Sequence, residues 1–169
     1  FDPYGNYAGS SYVIFGKAGG FSATFDLSNV DGNNGFRLNG VAENDLSGSS
    51  VSNAGDVNGD GLDDVIVSAL FADPNGDNSG SSYVVFGKAG GFSAALNLSS
   101  LDGHSGFRLD GTTAGDYSGT SISNAGDVNG DGFADLLVGA SGADPNGDDS
   151  GSSYVVFGKA TGFDATLNL

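Results

Sequence analysis

The chain has 169 residues, the size of one domain, and sets 5 Lys and Arg against 21 Asp and Glu for a formal charge of −16. That balance excludes nucleic acid and anionic membrane surfaces, which require a basic face, and makes a cation the natural partner. Disorder, a common fate of acidic Gly-rich chains, is opposed by a 38% hydrophobic content and by 12 Phe set in short, regularly placed runs. Without Cys there is neither a disulfide staple nor thiol chemistry. No apolar run is long enough to cross a bilayer as a helix, and no signal peptide opens the chain. The opening FDPYGNYAGSS reads as the middle of something larger, so the expectation is a fragment or a mature segment.

Taken in order, the predicted elements repeat. SSYVIFGKAGGF begins at Ser10 and GFRLNG at Gly35, two short strands of a partial unit over residues 1–45. A full unit over 46–115 follows: VSNAG, an acidic loop over 56–64, the apolar run DDVIVSA, the phrase DPNGDNSG, then SSYVVFG and GFRLDG. Residues 116–169 run through ISNAG, a second acidic loop over 127–135, ADLLVGA, DPNGDDSG and SSYVVFG, and lack a GFRLDG strand. Asp56 recurs as Asp127, an offset of 71 residues (127 − 56), and Ser10, Ser81 and Ser152 open the same phrase at the same spacing. The chain is about two and a third copies of one unit.

The runs are rich in β-branched and aromatic residues, and none keeps a helical period. Tyr83-Val84-Val85-Phe86 is apolar without alternation, as a strand covered on both faces would be. Four short strands per unit, with both faces covered by neighbours, describe a blade of a β-propeller. The predicted fold class is therefore all-β, with blades of four antiparallel strands.

The acidic loops carry the chemistry. Asp56, Asn58 and Asp60 occupy positions 1, 3 and 5, Gly61 allows a sharp turn at 6, Leu62 would offer its carbonyl at 7, and Asp64 closes the set at 9. The second loop matches with Asp127, Asn129, Asp131, Gly132, the Phe133 carbonyl and Asp135. Hard oxygens at alternate positions suit Ca²⁺, whereas Mg²⁺ seldom takes a full protein cage. Three carboxylates brought together without a cation would repel one another. The competing reading, an Asx-rich turn that satisfies itself, is weakened by the duplication. Position 12 is Val67 or Val138 within a strand-like run, which removes an EF-hand, and the strand after the loop also removes a dockerin module.

GDVNGDGFADLLVGAS, followed by GSSYVVFG and preceded by GFRLDG, resembles the FG-GAP repeat of integrin α-subunit propellers and of many bacterial secreted proteins. The resemblance implies blades whose first two strands are joined by the calcium loop, the ligands just named, and an extracellular, secreted or cell-surface setting. The chain departs from the family pattern at Ser47-Gly48 and Ser118-Gly119, where Phe-Gly is expected. It departs again at Ser68-Ala69-Leu70 and Gly139-Ala140-Ser141, where Gly-Ala-Pro is expected.

The remaining candidates read more plainly. DPNGD at Asp73 and Asp144 fits a turn first and a second metal, through Asp73/Asp77 and Asp144/Asp148, only second. The N-terminal copy, Asp2-Pro3-Tyr4-Gly5-Asn6, has lost most of its acid. His104 stands where the preceding copy has Asn33, which argues against catalysis. Lys17, Lys88 and Lys159 sit at strand ends, where charge discourages edge pairing, and Arg37 and Arg108 could pair with loop carboxylates. No nucleophile, base and orienting group form a set. The expected function is a non-catalytic, calcium-stabilised module for adhesion or cell-surface interaction. A structural subunit of a self-associating matrix or filament comes second, and an appendage of a secreted enzyme third. The ends are expected to be completed either by adjoining repeats of a longer chain or by other copies, head to tail.

Overall fold

A computed structural model describes residues 6–160 and 162–169. The chain is all-β. Among the described residues its strands are β1 (Ser10–Ile14), β2 (Gly35–Asn39), β3 (Ser47–Gly55), β4 (Asp64–Ala69), β5 (Ser81–Val85), β6 (Ala95–Asn97), β7 (Gly106–Asp110), β8 (Ser118–Gly126), β9 (Asp135–Ala140), β10 (Ser152–Val156) and β11 (Thr166–Asn168). They form three sheets in the orders β1-β2-β6, β3-β4-β5-β7-β11 and β8-β9-β10. The sheets are stacked rather than closed into a ring. The expected strands fall in these elements. The Asp2-Pro3-Tyr4-Gly5 part of the N-terminal turn phrase lies outside the described residues.

In the central sheet the first four strands are antiparallel, as expected: β3 with β4, β4 with β5, and β5 with β7. The difference is an added three-residue strand running parallel at the outer edge of the central and N-terminal sheets. β11 pairs with β7, setting Leu167 opposite Leu109, and β6 pairs with β2, setting Leu96 opposite Leu38. After the third strand of its unit the chain therefore reaches back to the outer edge of the preceding sheet, as β6 and β11 both do, and β7 then returns as the fourth strand of the central sheet. Asn39 donates from its Nδ2 to Asn97 Oδ1 at 2.8 Å to fix that crossing. So short a segment carries no readable strand signal, because its order comes from the neighbouring edge rather than its own composition.

The crossing segment is anchored by an aromatic ring. Phe92 stacks on Phe36 with centroids 3.9 Å apart, and Phe163 stacks on Phe107 at 4.5 Å, each ring joining its own unit to the sheet before it. The lysine four residues earlier covers the other side: Lys88 Nζ lies 4.7 Å from the Phe92 centroid and Lys159 Nζ 5.0 Å from that of Phe163. Lys88 and Lys159 thus act as cation–π caps of the crossings, a role not read from the sequence, and Lys17 lies over Phe21 in the same way, 5.2 Å from its centroid.

Two clusters form the core, and both lie between sheets. One holds Phe36 and Leu38 of β2 with Val67, Tyr83 and Val85 of the central sheet. The other holds Ile66, Val84, Phe86, Phe107 and Leu109 of the central sheet with Ile122, Leu136 and Val138 of the next. Neighbouring side chains of β5 thus point into opposite clusters, and the whole strand is buried. The nearly identical SSYVI is half-buried throughout β1, and the same SSYVV alternates between half-buried and exposed along β10.

Backbone bonds complete each junction. Ser118 N donates to Ser79 O at 3.0 Å, Tyr117 N to Asn78 O at 3.1 Å, and Gly111 N to Gly80 O at 2.9 Å. Gly80 has φ +80, and a Cβ there would collide with the Ser118 carbonyl oxygen. Gly80→Ala should therefore cost about 2 kcal/mol or more through left-handed strain and backbone clash, lowering the melting temperature by several degrees. Gly90→Ala, in open space, should leave it within about a degree or two. Thermal melts of both variants check this.

Candidate functional site

Each acidic loop joins the first two strands of its sheet, β3 to β4 and β8 to β9. The sequence folds it tightly because its carboxylates capture its own amides. Asp56 Oδ1 accepts from Gly59 N at 2.7 Å and Asp60 N at 3.0 Å, and Oδ2 accepts from Gly61 N at 2.9 Å. Asn58 Oδ1 accepts from Asp60 N at 2.9 Å, and Asp60 Oδ1 from Leu62 N at 2.9 Å. Gly59 and Gly61 take φ of +75 and +85, which fits the glycine expected at position 6.

The second loop repeats this geometry. Asp127 accepts from Gly130, Asp131 and Gly132, Asn129 from Asp131, and Asp131 from Phe133. The closing residue differs from the others in being buried. Asp64 is fully buried, accepting from Val57 N at 2.9 Å and Gly87 N at 2.8 Å, and Asp135 does the same with Val128 N and Gly158 N. It thereby ties the loop to the end of the third strand.

Burial pushes the Asp64 carboxyl up to about 6 against the Gly87 and Val57 amides, which hold it down, while the Asp60 and Asp56 charges push it further up. A buried carboxylate facing two like charges is where a cation relieves the repulsion, and the donor set is all hard oxygen, so the residues present fit Ca²⁺. As placed, these oxygens hold loop amides. Among the described residues no group of three or more acidic or histidine side chains converges closely enough to hold a metal.

Other sequence candidates fall elsewhere. His104 belongs to a turn in which Asp102 Oδ1 accepts from the amides of His104 and Ser105, holding the Asp102 carboxyl down to about 2. It borders a cleft of about 330 Å³ that also touches Asn58, Asp60, Phe86 and Phe163. Arg108 pairs with Asp110 on its own strand at 2.6 Å, not with a loop carboxylate. In the second acidic phrase Asp73 Oδ1 accepts from Asn78 N at 2.6 Å, and Asp144 Oδ1 does so from Asp149 N. That turn hands its carbonyls to the start of the next unit. The sequence reading also missed that the first acidic loop is itself a junction: Asp56 O accepts from Ala134 N and Val57 O from Lys159 N, both at 3.0 Å. The signal was available in the 71-residue spacing of loop and lysine, but not the contact.

The architecture defines an all-β repeat module of stacked, blade-like sheets with an acidic loop between the first and second strands of each unit. The family model described as FG-GAP repeat matches residues 47–85 and 118–156. The matched stretches span β3 to β5 and β8 to β10 and include both acidic loops, so these two parts of the chain are similar to FG-GAP repeats.

The raised Asp64 value has a measurable consequence in chelator. Its unfolded value is 3.8, so the folded chain prefers the protonated form. The associated stability is full below about pH 4 and is lost as pH rises through about 6, by no more than about 3 kcal/mol. The melting temperature of the wild type should fall more steeply between pH 4 and 6 than that of Asp64→Asn. Parallel slopes would contradict the assignment.

Proposed function

We propose that the chain is a non-catalytic, calcium-binding FG-GAP module serving adhesion or interaction at an extracellular surface. The observation that carries the reading is the duplicated loop. Asp56, Asn58, Asp60, the Leu62 carbonyl and Asp64 would hold one Ca²⁺, and Asp127, Asn129, Asp131, the Phe133 carbonyl and Asp135 a second. The ion would draw the loop carboxylates together, neutralise them and lock each loop, and with it the junction to the next unit. Two ions would also reduce the formal charge from −16 to −12 (−16 + 4).

FG-GAP repeats are generally non-catalytic and typically occur in extracellular or surface proteins. Among the described residues no helix is long and apolar enough to cross a membrane. A second reading, a structural subunit of a self-associating array, is favoured by the apolar faces left open at both ends of the stack.

Calcium titration by calorimetry should give two sites, and chelation should lower the melting temperature. Binding confined to the folded state stabilises by about 4 kcal/mol when free metal is a thousandfold above Kd. Asp60→Ala and Asp131→Ala should each remove one site. No heat at millimolar calcium would overturn the reading.

A further inference from the structure

The two acidic loops touch each other inside the junction between the central and C-terminal sheets, and they do so through residues that supply or adjoin the proposed ligands. The ring of Phe133 lies against Gly59, where a Cβ would strike its Cε1. Phe133 is the residue whose carbonyl the second loop offers, and Gly59 is flanked by Asn58 and Asp60 of the first. Ala134 N, next to Asp135, donates to Asp56 O at 3.0 Å. A further path joins the closing carboxylates. Asp64 Oδ2 accepts from Val57 N at 2.9 Å, and Val57 O accepts from Lys159 N at 3.0 Å. The adjacent Gly158 N donates to Asp135 Oδ1 at 3.0 Å. One residue of each unit, Val57 and Gly158, thus bridges the inner ends of both loops, and both residues are buried. Gly158 leaves no slack in that path: a Cβ there would lie 2.7 Å from Phe133 Cβ and 2.9 Å from Val57 O.

We propose that the two loops bind calcium with positive cooperativity, each ion raising the affinity of the other loop through these contacts. The inference rests on the calcium reading and adds to it the regulation of its two sites. Fixing a loop costs conformational entropy, and a loop held against an already ordered neighbour loses less of it on taking its own ion. Filling the second loop fixes the Phe133 carbonyl and the Asp135 carboxylate. It thereby fixes the ring on Gly59 and the amide pair of Gly158 and Lys159, so the first loop has less left to order. Linkage makes the effect reciprocal. Electrostatics acts in the opposite direction, because each loop brings three carboxylates and loading one loop weakens the pull on the second ion. That opposition is long-range and is screened at about 0.15 M salt, where the Debye length is about 8 Å. Direct contact is not screened, so it sets the net sign.

Calorimetric calcium titration at about 0.15 M salt reads the coupling. Asp131→Ala isolates the first loop and Asp60→Ala the second, so the overall constant of the wild type is compared with the product of the two isolated constants. The wild type should exceed that product by at least about fivefold. Phe133→Ala removes the ring but keeps the backbone carbonyl. It should lower this ratio, while the second loop, isolated by Asp60→Ala, keeps its affinity. Phe133→Leu, which installs the residue that the first loop carries at this position, should restore part of the ratio and serves as the milder variant if the alanine impairs folding. Hydrogen exchange in Asp60→Ala gives a second readout. Calcium in the second loop should slow exchange at the Gly59 and Gly61 amides, although the first loop then takes no ion. A wild-type ratio of one or below, a ratio untouched by both Phe133 variants, or unchanged exchange at Gly59 and Gly61 overturns the coupling and leaves the calcium reading standing. No uptake at millimolar calcium overturns both.

Discussion

Burial of apolar side chains between stacked units is the interaction on which this structure depends. A single three- or four-stranded sheet has two apolar faces and cannot cover either by itself. The central sheet is covered on both sides and supplies residues to both core clusters. At about 25 cal/mol per Å², each fully buried Val, Ile or Phe contributes roughly 1.5–3 kcal/mol, which outweighs exposed ion pairs at about 0–1 kcal/mol. Arg108 pairs with Asp110 within one strand rather than across a junction. Stability is therefore a property of junctions, as in other quasi-one-dimensional repeat arrays.

The remaining devices serve those junctions. The crossing strand and its stacked phenylalanine tie each unit to the sheet before it, and the lysine above the ring lets a cation shield apolar surface without entering the core. The second acidic phrase is a folded turn whose carbonyls receive the next unit. The first acidic loop does the same from the inner end, so a ligand that stiffens the loop would act on the junction as well. With a formal charge of −16, neutralising loop carboxylates would also lessen the self-repulsion of a compact chain.

Much of this was legible in the sequence. The 71-residue offset gave the unit, the unbroken apolar character of Tyr83 to Phe86 gave a strand covered on both faces, and Asp56 to Asp64 gave a loop of alternating oxygens with glycine at its turn. What stayed hidden depends on neighbours. Ala95–Asn97 is a strand only because the edge of β2 is there to receive it. Lys88 read as an edge charge because its ring, four residues on, is oriented by a stacking partner in another unit. SSYVV and SSYVI are nearly one sequence, yet their burial differs threefold in kind across β1, β5 and β10, since composition is local and coverage is not.

That last contrast offers the most direct measurement. Native-state hydrogen exchange compares amides at equivalent positions of β5 and β10 that bond to β4 and β9 respectively. If stacking between units holds the fold together, the β5 amides exchange only through global unfolding, while those of β10 exchange through local opening at much lower free energy. Equal protection of the two strands would contradict the account.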